Sequence, residues 1–546
     1  MEKYSQGQVQ PAFERGLAAV QLALRAQADH APSLILQAAL LGQYADALTS
    51  RGEHPEALVQ EAVTAALKAQ AAGPTRADAW AALGKAYYQW GNERLDQNLD
   101  PTEQLAQGLR TLESLAPSKR DYTVENHLGL IHQTWSDFEV QQGLDPRPHL
   151  DGAIAAYERA TAMEPLSLPA WINLGTCLQQ RAVLPGSADP EADLRRALEV
   201  LERAHTLNPR HFVPFFVQGK VRYSQGLRKQ ERGEDPTSDL QASLEANRRG
   251  LAINAEVPHL HNGVGVAQLQ AARAAWERGQ DHLPALAAAE QAFRRAMAVA
   301  PGQVLGYLNL GELLIWKTRH GLGSLGPASL QAIETLLRRS LAAAPGDPGT
   351  LATQGRLAAL RLEQLLGSPG DFRSSLAAGE AALGEVLRRQ PRHRDALLYL
   401  GELRSAAARL KAQRSLAGPE DYEAADLALG RALEAPPESQ EALLARAALA
   451  LDRALWAQAR GQAPTHHLAQ GEALLDQLAK LHPGMSEALA LRGALKLAEA
   501  QSGGSAERAV RARESHQAFQ EAFTRNRYLE PTWRAVAQQA RALAQP

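Results

Sequence analysis

Apolar residues recur along this chain at helical spacing, in stripes that each carry a glycine near their centre. Trp80, Leu83, Gly84 and Tyr87 stand at i, i+3, i+4 and i+7, as do Trp171, Leu174, Gly175 and Leu178, and Tyr307, Leu310, Gly311 and Leu314. That spacing puts one apolar face on an α-helix. A second kind of stripe alternates small, large and small: Ala153, Tyr157, Ala160; Ala197, Leu201, Ala204; Ala289, Phe293, Ala296. The two stripes predict a pair of packed helices. Glycine inside a helix costs about 1 kcal/mol relative to alanine, so its recurrence implies a neighbour too close for a side chain. Small residues opposite the glycine let two backbones approach, while Tyr157, Leu201 and Phe293 fill the space between.

The stripes repeat at an almost fixed interval. Their anchors are Gly84, Gly129, Gly175, Gly219, Gly265, Gly311, Gly355, Gly401, Ala447 and Gly493, 44 to 46 residues apart. Prolines interleave with them, including Pro74, Pro117, Pro165, Pro209, Pro301, Pro345, Pro391, Pro437, Pro483 and Pro531, with one member missing near Ala255. Proline cannot continue a helix and holds its predecessor extended, so each marks the turn that leaves one unit. A period of this size predicts an all-α solenoid of antiparallel helix pairs, about 11 extended repeats read as one array over residues 1–546.

Trp171–Leu174–Gly175–Leu178 followed by Ala197–Leu201–Ala204–Pro209 resembles the tetratricopeptide (TPR) repeat, and the fit recurs along almost the whole chain. The resemblance implies a right-handed superhelix and a role in binding proteins or peptides. One departure stands out: the usual unit is about 34 residues long, and these are longer. The extra residues fall between the two helices, as in 133–146 and 224–236, and are mostly helix formers ending in Gly and then Asp-Pro. They read as lengthened first helices of ~20 residues, ~30 Å long, with a retained turn. Asp100-Pro101, Asp145-Pro146, Asp189-Pro190 and Asp235-Pro236 are expected to supply an N-cap followed by proline in the first helical position. The long-unit form, as in 143–165, is similar to the C-terminal arrays of some bacterial serine/threonine protein kinases. That implies a regulatory or docking role beside a kinase, in a bacterial protein.

Catalytic motifs dissolve on inspection. His393-Arg394-Asp395 opens like a kinase catalytic loop, but the asparagine due five residues later is Leu400, and no DFG follows. Gly321, Gly323 and Gly326 satisfy GxGxxG, yet they follow a helical run and not a strand, which favours an inter-helix loop. The histidines are scattered without metal-ligand spacing, and Cys177 reads as a buried, inert thiol. No catalytic, cofactor or metal site is expected, and no enzyme activity. Lys+Arg 58 against Asp+Glu 60 gives net charge −2, so no global field favours nucleic acid or an anionic membrane. One cysteine suits a reducing compartment, and the opening residues lack an apolar signal core, so a cytoplasmic protein is expected.

The ends read differently. Residues 1–32 look like an incomplete N-terminal unit, 1–8 being the tail of a first helix and 11–32 a second helix without its partner. Under the kinase resemblance, an upstream kinase domain is the missing part. Residues 530–546 read as a capping helix whose Arg534, Gln538, Gln539 and Arg541 face solvent.

In TPR-like superhelices the first helix of each unit lines the inner surface. With the packing stripe at −4, −1, 0 and +3 from the glycine, the free face falls at −3, +1, +4 and +5. This register gives a partner groove that includes Lys85, Tyr88, Asn126, Gln133, Gln179, Lys220, Tyr223, Asn262 and Trp316. Its N-terminal half suits the backbone and acidic groups of an extended peptide. Its C-terminal half, with Leu308, Ile315, Leu398 and Leu451, turns apolar and suits a helix or a second copy of the chain. Trp80 and Trp171 are expected in the core. The reading is a non-catalytic protein-binding scaffold; the alternatives are a kinase's regulatory array and a small-molecule sensor.

Overall fold

The computed structural model describes residues 9–49, 53–97, 99–322, 326–434 and 439–545. These residues form α-helices joined by short turns, with brief 3-10 turns at Pro117–Lys119 and Arg527–Leu529 and no strand among them. The chain divides into two compact units, Met1–Val217 and Gln218–Pro546, with no shift in composition to mark the division. Within each, helices pair antiparallel in chain order, as an all-α solenoid requires.

The first unit opens with the helix Val9–Ala26 and then the pair Ala31–Thr49 and Glu56–Ala72. Residues 1–8, expected to end a first helix, lie outside the described residues. Next come the Gly84 helix (Ala77–Asp96) with Thr102–Glu113, the Gly129 helix (Tyr122–Gln142) with Arg147–Met163, and the Gly175 helix (Leu168–Ala182) with Pro190–Leu207. The Gly219 helix is Val213–Glu231, and after it the first helices of the second unit are Pro258–Glu277, Val304–Arg319, Pro348–Gln364, Arg394–Gln413, Gln440–Ala459 and Ser486–Ser502, named below by their anchors from Gly265 to Gly493. Several first helices reach 20 or 21 residues, so the long period is spent on longer helices.

The anchors explain the pairing. A Cβ on Gly84 would fall 2.6 Å from Leu112, on Gly129 2.5 Å from Tyr157, on Gly175 2.7 Å from Leu201, and on Gly493 2.9 Å from Phe519. Each glycine is a socket for the large residue of its partner helix. This corrects the backbone-to-backbone approach expected above: Tyr157, Leu201 and Phe293 press on the glycines themselves, and all three are fully buried. Ala447, the one anchor that is not glycine, is fully buried as well.

The turns follow their residues. Glu164, Asn208 and Ala300, each preceding the recurring proline, are extended and end their helices. Where that proline is missing, Asn254 is equally extended, and its side-chain oxygen accepts the Glu256 amide at 3.0 Å. Of the four Asp-Pro steps named above only Asp189 is an N-cap, accepting from Ala192. In the other three the helix starts one residue later, and Asp100, Asp145 and Asp235 accept the amide two residues on. At the C-terminal end, Glu530–Ala544 keeps Arg534, Gln538, Gln539 and Arg541 exposed while Trp533, Val536 and Leu543 pack inward.

Candidate binding surface

First helices pack on the first helices that follow them, Ala31–Thr49 on Ala77–Asp96 and that on Tyr122–Gln142, whereas second helices make no comparable contacts with one another. The first helices therefore line the inside of each unit's curve. Within them the inward side chains stand one and eight residues after the anchor: Lys85, Glu312, Arg356 and Glu402 at the first position, Asn92, Asp137, Arg273, Arg319, Glu363 and Arg409 at the second. Seven residues are two turns, so both positions share one face. The position one after the anchor is the one anticipated from sequence. The second was missed, because it lies in the lengthened part of the helix, beyond the usual repeat.

In the first unit this face is polar and acidic. Tyr88 is half-buried; burial first, then the charges of Asp46, Asp96 and Asp137, push its phenol up to about 12. Those carboxylates come from three successive first helices. Gln89 donates to Asp46 at 3.1 Å and Gln180 to Asp137 at 2.9 Å, linking neighbouring repeats through equivalent amides. Gln133 accepts from the Tyr157 hydroxyl at 3.0 Å. Lys85 is half-buried near His127, whose imidazole is driven down to about 4 by burial and then by Lys85. A recess of about 240 Å³ opens beside this row, bounded by Asp46, Thr49, Gln89, Asn92 and Glu93. Glu93 is held by Thr49 at 2.8 Å, Gln97 at 2.8 Å and His54 at 3.2 Å. Of the remaining predicted residues here, Asn126 lies in a separate recess of about 420 Å³ with Tyr122 and Leu166, and Gln179 is buried.

The second unit corrects the expectation of an apolar inner face. Arg319 Nη1 binds both carboxylate oxygens of Glu402, at 2.9 and 3.0 Å, passing over the Gly355 helix to reach two repeats on. Arg356 Nη1 meets Glu312 at 2.6 Å, and its guanidinium lies 4.9 Å from the centre of the Tyr399 ring. Thr353 adds a 2.7 Å bond to Glu312, and Arg409 Nε stands 3.3 Å from Asp452. Burial opposes ionisation of Glu402, but Arg319 and Arg356 outweigh it and hold that carboxyl below its ordinary range. Ile315 and Leu451 are buried instead of lining an open groove. Trp316 is core too: it stacks on His320 at 4.2 Å and meets Trp276 edge-on. Asn262 accepts from Asn309 at 2.8 Å, while Lys220 and Tyr223 are half-buried.

The decoy motifs take structural places. His393 caps the Gly401 helix, its Nδ1 accepting from Ala396 at 3.2 Å. Gly321 makes a left-handed turn residue at φ 67°, and residues 323–325 lie outside the described residues. Cys177 is fully buried, which raises its thiol pKa. Among the described residues no group of three or more His, Cys, Asp or Glu is placed to hold a metal ion, and no helix is long and apolar enough to cross a membrane.

No family model matches the chain, and no curated protein matches it. Solved structures do. The TPR protein TTC0263 of Thermus thermophilus is similar at 18% identity and TM-score 0.32, over 44% of this chain and 99% of that one. Yeast Tom70 is similar at 12% identity and TM-score 0.37, over 98% and 93%. The human IFIT1 dimer with m7Gppp-AAAA is similar at 11% identity and TM-score 0.47, over 83% and 90%. At these identities the likeness concerns the helical-repeat fold.

Proposed function

We propose that the chain is a non-catalytic protein-binding scaffold whose inner face in residues 1–217 takes an extended, positively charged peptide. One observation carries the reading: Asp46, Asp96 and Asp137, from the first helices of three successive repeats, converge electrostatically on Tyr88. An extended peptide advances ~3.3 Å per residue, so several of its side chains can meet that row at once. The part-exposed amides of Gln133 and Gln180 suit peptide backbone groups, and Tyr88 offers a ring for alkyl stems or guanidinium planes. This reverses the charge of the peptide expected from the sequence, because Asp46, Asp96 and Asp137 outweigh Lys85. The second unit's inner face is internally neutralised by its arginine–carboxylate pairs and serves mainly to hold its own curvature.

Selection of displayed random peptides on the immobilised full-length chain tests this. Enrichment of lysine- and arginine-bearing sequences that fail to bind an Asp46→Asn, Asp137→Asn variant supports the reading. Enrichment of acidic or purely apolar sequences, or capture indifferent to that variant, contradicts it.

A further inference from the structure

Two helix ends in the second unit are capped from far along the chain. Gln440 Nε2 donates to the Glu231 carbonyl at 2.7 Å, and Ser486 Oγ donates to the Glu277 carbonyl at 3.3 Å. Both pairs are 209 residues apart, so the same contact recurs one repeat later. Each acceptor ends a helix, and each donor is the first residue of another, so opposite ends of helix dipoles meet. At 44 to 46 residues per repeat, that offset means the stack touches itself after between four and five repeats. The seam is close. A Cβ on Gly279 would lie 2.7 Å from the Arg525 carbonyl, and the His282 and Tyr528 rings meet edge-on at 4.7 Å.

The seam also gathers carboxylates. Glu487 faces Glu277 and Glu441, and burial, then those two charges, push it up to about 7. Burial likewise raises Glu277, against the pull of His482, whose Nδ1 is 3.4 Å away, and of Arg278. His320 presents Nε2 to Glu487 at 4.0 Å, while its Nδ1 lies 2.8 Å from the Trp316 carbonyl. That carbonyl fixes the proton on Nδ1 and leaves Nε2 a lone pair, which faces a protonated carboxyl better than an ionised one. Burial, assisted by Arg273, Arg319 and Arg356, keeps this imidazole neutral until about pH 4.

We propose that the seam is a releasable clasp, closed while Glu487, facing Glu277 and Glu441 beside the Glu277–Ser486 and Glu231–Gln440 contacts, keeps its proton and loosened once it ionises. Opening then gives access to the inner face that carries Arg319, Arg356 and Tyr399. The sign follows from linkage: a carboxyl that holds its proton more tightly in the closed form favours closure fully below the ordinary glutamate value of 4.5 and loses that effect as pH rises through about 7.

Hydrogen exchange on the full-length chain at pH 6 and pH 8, corrected for intrinsic rates, reads the clasp directly. The amides at the helix ends around Glu231 and Glu277 are expected to lose about tenfold in protection at the higher pH, because pH 6 lies about one unit below the Glu487 value of about 7 and pH 8 lies above it. Glu487→Gln should keep its pH 6 protection at pH 8, and Gln440→Ala with Ser486→Ala should lower protection at both. Equal wild-type protection at the two pH values, or a response that persists in Glu487→Gln, overturns the proposal. So does a Gln440→Ala, Ser486→Ala chain with wild-type protection.

Discussion

Trp171 Nε1 donates to the Pro165 carbonyl at 3.0 Å, across the turn that separates two helix pairs. Trp80 does the same to Pro74 at 2.9 Å, Tyr307 to Pro301 at 3.0 Å, and His261 Nε2 lies 2.8 Å from the Ala255 carbonyl. Each stands six residues after its carbonyl and four before an anchor glycine. The half-buried tryptophans, expected in the core, are ties that fix the angle between repeats. Replacing Trp171 with Phe keeps most of the ring and removes the donor. Urea denaturation should show a loss of about 0.5–1.5 kcal/mol, and an unchanged midpoint would dismiss the tie.

A methyl group on Gly175 has no room beside Leu201. Gly175→Ala should destabilise by about 1–3 kcal/mol, net of alanine's better helix propensity. Leu201→Ala alone should cost about 2–5 kcal/mol by leaving a cavity. Combining the two should cost less than their sum, since the new methyl partly refills that space. Strict additivity in the denaturation cycle would refute the socket.

Arg319 and Glu402 share a mostly buried contact in which Nη1 bridges both carboxylate oxygens. Glu402→Gln leaves the buried guanidinium only the longer 3.8 Å contact with Glu363 and should cost about 3–5 kcal/mol, whereas Arg319→Met with Glu402→Leu should cost far less. Equal losses in the two would show that the pair's geometry, and not its charge, holds the curve.

Burial, and then Lys85, drive the His127 imidazole down to about 4. A histidine kept neutral supports the fold fully above its ordinary value of 6.5 and loses that support as pH falls toward 4. His127 should therefore add to acid destabilisation in this window, by at most about 3 kcal/mol. Chemical denaturation at several pH values should give a shallower slope for His127→Asn than for wild type. Matching slopes would remove His127 from the account.

Helix pairing was legible because it rests on local rules. Glycine at mid-stripe and proline after each second helix need only neighbouring residues to act. The inner face was legible only in part. Tyr88 and Gln133 follow from helical register, but Asp137 and Arg319 lie two turns further along a lengthened helix, beyond the usual repeat. Trp316 was misplaced because the face that is open at Tyr88 is covered by core packing around Trp276. Such burial depends on how tightly successive helices stack, which no single repeat encodes. The contacts between Glu231 and Gln440 or Glu277 and Ser486 depend on the accumulated rotation of several repeats and left no mark in the pattern.

The most direct measurement is a titration of the full-length chain with a lysine- and arginine-rich peptide obtained by selection, followed by calorimetry in low and high salt. Wild type should bind, with affinity falling as salt rises, and Tyr88→Ala with Asp137→Asn should weaken binding about tenfold or more while the thermal midpoint stays within a few degrees. Undiminished binding by that variant, or equal affinity for a neutral peptide of the same length, would contradict the assignment of this face as the binding surface.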